Sequence, residues 1–282
     1  MNPLIESLIQ AKKPKSIDDY ENLLKEAIQE VCLLGLWRAK FFEHAAFYGG
    51  TALRILHGLP RFSEDMDFTL EKSNPKFRFD PYRAALITEL KAYDFDVEFS
   101  VSKQEAEISR AFLEGNSSIH LAKIDPKLKT HRNRLLQVKI EIETQPPCSS
   151  EIEVISCLRP IPFSVKTLSL PDLFAGKMHA VLCRAWKYNV KGRDWYDLLW
   201  YINRSVPVRI EHLEARMIRS GNWSAEKKLT ADDFKKLFRE RVKKLDVDLA
   251  KKDLIRFISN PKEIEGWSTS VFLSVADQIK TI

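Results

Sequence analysis

Cysteine is scarce. The 282-residue chain holds four, Cys32, Cys148, Cys157 and Cys183, and no two of them form a CxxC pair. That argues against a disulfide framework or a cysteine-bound structural zinc, and for reduced thiols. The six histidines lack metal-ligand spacing such as HExxH. No stretch approaches the roughly eighteen consecutive apolar residues that a membrane helix requires. The opening MNPLIESLIQAKKPK has no apolar core ahead of a small-residue cleavage site. The expectation is a cytoplasmic protein with no membrane partner. The P-loop pattern GxxxxGK[ST] is missing, and so are the HRD and DFG signatures of protein kinases, which argues against those phosphoryl-transfer classes. Internal repeats and low-complexity tracts are also absent.

What is present describes a folded chain. At 44% hydrophobic and 30% charged, it carries enough apolar surface to offset the entropy of ordering. Forty-five Lys and Arg against thirty-nine Asp and Glu leave a net charge of +6. This mild basic excess suits RNA or a nucleotide as polyanionic partner, and falls short of an architectural DNA-binding protein.

Ser16, followed three residues later by Asp19, predicts a capped helix start. Ile17, Tyr20, Leu24, Ala27, Ile28 and Val31 then give that helix one buried face. Residues 45–48 read as a short buried strand ending at Gly49-Gly50, and residues 51–57 as a helix. Further strands are expected at 67–70, 96–101 and 136–143, with a helix over 81–92. In 136–143, Val138, Ile140 and Ile142 alternate with Lys139, Glu141 and Glu143, the period of a half-buried strand. From about Pro171 the pattern turns helical, and after Pro207 only helices are expected. The expected organisation is an α/β domain with N-terminal helices over 1–165 and a helical domain over 166–282.

The chemistry concentrates in two blocks. Gly49-Gly50 between a strand and a helix permits a tight turn and leaves amides bare at a helix N-terminus, which suits a phosphate. A purely structural turn is the alternative. In Arg61-x-Ser63-x-Asp65-x-Asp67, strand alternation puts Asp65 and Asp67 on one face, as hard oxygen ligands for Mg²⁺ or as a solvated strand end. Glu141 and Glu143 share a face of a later strand, and either can complete an acidic cluster with them. Lys177 stands among apolar helical residues and requires an anion, met by a phosphate or by an ion pair with Asp194. Arg193-Asp194 opens the next helix, where an Asp also serves as a cap.

Taken in order, Gly49-Gly50-Thr51-Ala52-Leu53, Arg61-x-Ser63-x-Asp65-x-Asp67-Phe68, Lys139-x-Glu141-Ile142, Ala175-x-Lys177-x-His179-Ala180 and Arg193-Asp194-x-Tyr196-Asp197-Leu198 resemble the AbiEii/AbiGii-type toxin family. These are nucleotidyltransferase-like proteins of toxin–antitoxin and abortive-infection (phage-defence) systems. The resemblance runs from about residue 20 to 205. It implies an α+β chain with a DNA polymerase β-like nucleotidyltransferase fold and a mixed sheet, followed by a helical domain that contributes Lys177 and Asp194. It implies Asp65, Asp67 and Glu141 as ligands of Mg²⁺ (or Mn²⁺), and Gly49, Gly50, Thr51, Arg61 and Ser63, with Lys177 and Asp194, as contacts to a nucleoside triphosphate. The implied reaction, of the EC 2.7.7 kind, moves a nucleotide to an acceptor such as a tRNA 3′ end, with a cognate antitoxin as partner. Glu141 stands where Asp is common in the family.

Two basic clusters are candidate RNA contacts: Lys127, Lys129, Arg132 and Arg134, with His131 among them, and then Lys191 and Arg193, which lie near Trp186, Tyr188 and Trp195. Solvated loop charge is the alternative for each. A metal-dependent nuclease could use the same acids but leaves Gly-Gly, Ser63 and Lys177 without a purpose. A non-catalytic nucleotide- or RNA-binding protein is the third reading.

Overall fold

The computed structural model describes residues 1–102, 107–124, 135–148, 150–185 and 190–282. It divides into two compact units, Met1–Pro146 with Ile152–Thr167, and Pro147–Glu151 with Leu168–Ile282.

The first unit is built on a seven-stranded mixed sheet. Its elements are α1 (Pro3–Ala11), α2 (Ile17–Arg38), β1 (Ala45–Tyr48), α3 (Gly49–His57), β2 (Met66–Leu70), α4 (Asp80–Ala92), β3 (Glu98–Val101), β4 (Ile108–Asn116), α5 (Ser117–Ile124), β5 (Leu135–Glu143), β6 (Ile152–Cys157) and β7 (Phe163–Leu168). The strand order is β3-β4-β5-β2-β1-β7-β6. β1 and β2 are antiparallel, while β2 pairs with β5, and β1 with β7, in parallel. The strand expected over 96–101 begins two residues later, and α3 starts at the glycines themselves. β4, β6 and β7 are additions to the strands expected from sequence.

The Ser16–Asp19 capping box is formed, and it opens the 22-residue α2. Every residue of α2 from Val31 to Leu36 is buried, so this helix is enclosed rather than amphipathic at its C-terminal half. Three of its polar residues, Glu26, Gln29 and Glu30, are enclosed too. Glu26 pairs with Arg54 Nε at 2.7 Å and Glu30 with Arg159 Nη2 at 2.8 Å. Burial pushes the Glu30 carboxyl up from 4.5 to about 7, against the pull of the Arg159 guanidinium. Folding therefore takes up a proton between those two values. The stabilisation is complete below the unfolded pKa and is lost as pH rises through 7, a change on the order of 3 kcal/mol. Glu30→Gln should match the wild type in thermal melts at pH 4 and melt at a higher temperature than it at pH 8. Parallel curves for the two proteins across that range would show that Glu30 ionises normally.

The second unit contains α6 (Leu170–Cys183), α7 (Gly192–Asn203), α8 (Ile210–Arg219), α9 (Ala231–Lys243), α10 (Val247–Leu254) and α11 (Thr269–Ser274), with an isolated bridge between Val208 and Thr281. Trp195 and Tyr201 of α7 are fully buried, and Tyr201 stacks on Phe174 of α6 with ring centroids 4.3 Å apart. Gly192 starts α7 where it meets α10. A Cβ there would run into the Ala250 carbonyl oxygen and stand 3.1 Å from Leu254 Cβ. Gly192→Ala should thus cost about 1–3 kcal/mol in urea denaturation through overpacking against rigid backbone. An unchanged midpoint would mean the two helices separate freely.

Candidate active site

In the first unit, β1, β2, β5 and β4 are in register along one row: Tyr48 opposite Asp67, Asp67 opposite Glu141, and Glu141 opposite Arg110. Pleating puts the partners of a row on the same face. The next row holds Thr69 and Glu143, which are hydrogen-bonded at 3.2 Å. Glu141 is thus the carboxylate beside Asp67, and Glu143 lies one row further along. Asp65 immediately precedes β2, and its side chain is 41% exposed.

The Gly-Gly turn is fitted around this row. Gly49 has φ +81°, a conformation that side chains rarely adopt, and a Cβ on it would overlap Asp67 Oδ2. A Cβ on Gly50 would come within 2.7 Å of Arg61 Nη2 and 2.9 Å of Ser63 Oγ. The first-turn amides of α3 therefore lie beside Asp67 and Ser63 with no side chain between them.

The segment leading to Asp65 is held by residues remote in sequence. Gln29 Nε2 donates to the carbonyls of Ser63 and Glu64, each at 3.0 Å. The Thr51 hydroxyl, fully buried, donates to the Asp65 carbonyl. Arg54 Nη1 donates to Leu59 O at 3.1 Å and Pro60 O at 2.5 Å, and its guanidinium lies 4.5 Å from the Phe62 ring centroid. Arg61 is only 2% exposed and donates to Phe62 O at 2.8 Å, so it stands behind the glycine turn. Gln29 and Arg54 were not legible as site residues. The signal available was the unbroken apolar run Val31–Leu36, which says that α2 is buried all round and that its nearby polar residues must find partners inside.

Glu141 carries two cationic partners, Arg110 Nε at 2.8 Å and Lys139 Nζ at 3.3 Å. Lys139 is also 3.7 Å from Asp65 Oδ2. Among the described residues, no group of three or more His, Cys, Asp or Glu side chains is arranged to hold a metal ion.

In the second unit, Lys177 on α6 lies between two acids of α7, 2.9 Å from Asp194 Oδ1 and 2.8 Å from Asp197 Oδ2. Asp194 also binds Arg184 at 2.8 Å, and Asp197 is fully buried. Asp197, one turn beyond Asp194, is a partner that sequence reasoning quoted without giving it a role. Lys191 is the N-cap residue of α7, and Arg193 lies 4.1 Å from the Phe257 ring centroid. Lys127, Lys129, Arg132 and Arg134 lie outside the described residues, as do Trp186 and Tyr188.

The sequence profile described as nucleotidyl transferase AbiEii toxin, type IV toxin–antitoxin system, matches residues 31–270. The chain belongs to the AbiEii family. It is therefore a member of a nucleotidyltransferase toxin family, and a type IV system implies a cognate antitoxin. The fold is shared with JHP933 from Helicobacter pylori at a TM-score of 0.50 and 18% identity, over 91% of this chain and 90% of that one. A second H. pylori structure, a candidate nucleotidyltransferase, aligns with the same score and identity over 91% of this chain and 92% of its own. At that identity the likeness carries the fold alone. No curated protein matches the chain. No helix among the described residues of this AbiEii member is long and apolar enough to cross a membrane.

Proposed function

We propose that this AbiEii member transfers a nucleotide from a nucleoside triphosphate to a hydroxyl acceptor, the 3′ end of tRNA being the acceptor of choice, in a polymerase β-like active site. The observation that carries the reading is the seating of Asp67: in register with Glu141, and packed against a glycine turn that opens helix α3. A carboxylate next to bare helix amides repels a phosphate unless a cation lies between them. Asp65 and Asp67 supply the hard oxygens that suit Mg²⁺ or Mn²⁺, with phosphate oxygens to complete the shell. Bound there, the ion would offset the charge that builds on the triphosphate in the transition state.

The chain's own groups do the rest. The amides of Gly49 and Gly50 and the Ser63 hydroxyl receive the triphosphate, while Thr51, Arg61 and Gln29 fix the backbone that presents them. The acceptor oxygen bonds to the α-phosphorus and loses its proton. The bond from that phosphorus to the bridging oxygen breaks, and pyrophosphate leaves. Lys177 and Asp194, of the helical C-terminal domain, are the further proposed contacts to the nucleotide. Lys191 and Arg193, with the basic run 127–134, are the proposed RNA contacts.

The test is incubation with Mg²⁺, total tRNA and each α-labelled triphosphate in turn, with Asp65→Ala/Asp67→Ala as control. Label should enter tRNA with one nucleotide and be absent in the control. Shortened, unlabelled tRNA would replace the reading with a nuclease.

A further inference from the structure

An acidic cluster that takes two divalent ions needs its carboxylates available and its surroundings free of fixed cations. Here the third carboxylate meets neither condition. Glu141 is bound on one oxygen by Arg110 Nε at 2.8 Å and on the other by Lys139 Nζ at 3.3 Å. These contacts are built into the sheet. Arg110 is the register partner of Glu141 across β4 and β5, and Lys139 lies two residues before Glu141 on the same face of β5. The Lys139 ammonium also reaches 3.7 Å from Asp65, so it lies between the two carboxylates that a second ion would have to bridge.

We propose that Lys139, anchored by Glu141 and Arg110, takes the electrostatic place of a second divalent cation, so that the site binds one metal ion rather than two. This rests on the nucleotidyl-transfer reading and deepens it. A fixed ammonium is already in place before any metal arrives, and its charge repels a second divalent ion held at about 4 Å. Glu141 is a positioning residue in this arrangement: it holds the ammonium rather than the metal. The remaining pair, Asp65 and Asp67, matches the usual way Mg²⁺ is bound, by one or two carboxylates plus substrate phosphates.

Mn²⁺ binding followed by electron paramagnetic resonance, with Mn²⁺ alone as probe, tests this without reference to turnover. The wild type should bind one Mn²⁺ per chain, lost in Asp65→Ala/Asp67→Ala. Lys139→Met should bind Mn²⁺ at least tenfold more tightly or take up a second ion. Adding Glu141→Gln to Lys139→Met should reduce that gain, because the Glu141 oxygen freed of Lys139 is one source of it. Thermal melts of each variant identify any that has failed to fold, and Lys139→Gln then replaces Lys139→Met. Two ions in the wild type, or unchanged binding in a folded Lys139 variant, would overturn the one-ion inference and leave nucleotidyl transfer standing. Absence of any Mn²⁺ binding that depends on Asp65 and Asp67 would instead overturn both.

Discussion

Asp65→Ala and Asp67→Ala should each lower nucleotide transfer by about 10³-fold or more, with the melting temperature nearly unchanged. Both halves of that expectation come from where the two carboxylates sit. Asp65 is well exposed and its ion pair with Lys139 is long at 3.7 Å. Pairs of that kind contribute at most about 1 kcal/mol to stability. Asp67 stands against the Gly49 turn, where a shorter side chain removes contact with a ligand-facing surface rather than with the core. In the proposed mechanism catalysis has no such tolerance, since transition-state charge on the triphosphate would be left uncompensated when either acid goes. Label incorporation and circular dichroism on the same preparations make the comparison. A variant that melts early as well as losing activity would mean the acids are structural.

Lys177→Met should have the opposite profile, losing stability as well as transfer. Its ammonium lies within 2.9 Å of Asp194 and within 2.8 Å of Asp197, which is fully buried. Asp194 keeps Arg184, but Asp197 loses its ammonium in a dry setting. Removing one partner of a buried pair typically costs about 3–5 kcal/mol, because a desolvated charge is left behind. Adding Asp197→Asn removes that charge, so the double variant should recover a large part of the stability. Transfer should stay lost in both, if Lys177 meets the nucleotide as well as its aspartates. Restored transfer in the double variant would assign Lys177 to structure alone. Urea denaturation gives the first quantity and label incorporation the second.

These two sites were legible to different depths. The glycine pair and Arg61-x-Ser63-x-Asp65-x-Asp67 are local patterns whose meaning depends on strand and helix periods, and those periods are readable from neighbours in the chain. The rule that a lysine among apolar residues requires an anion offered Asp194 or a phosphate as the partner of Lys177. What stayed hidden depends on contacts across the fold. Gln29 acts on Ser63 and Glu64, thirty-four and thirty-five residues away, and nothing in its own surroundings marks it. β4 escaped because its core-facing positions include Ser109 and Ala111 while Phe112 lies on the other face, which blurs the alternation of hydropathy. β6 is an edge strand with Val154 66% exposed, so its burial does not follow its composition. Arg110, on the unrecognised β4, was hidden for the same reason. Glu141 and Glu143 are equivalent by alternation, and only the register of β2 against β5 puts Glu141 beside Asp67.

The central claim is that the Asp65–Asp67 site moves a nucleotidyl group. Parallel reactions with triphosphate labelled at the α- or at the γ-phosphate, on total RNA and Mg²⁺, test it most directly. The α-label should become attached to the acceptor and the γ-label should leave as pyrophosphate, both depending on Asp65. Transfer of the γ-label to the acceptor would mean phosphoryl transfer instead, and would contradict the account.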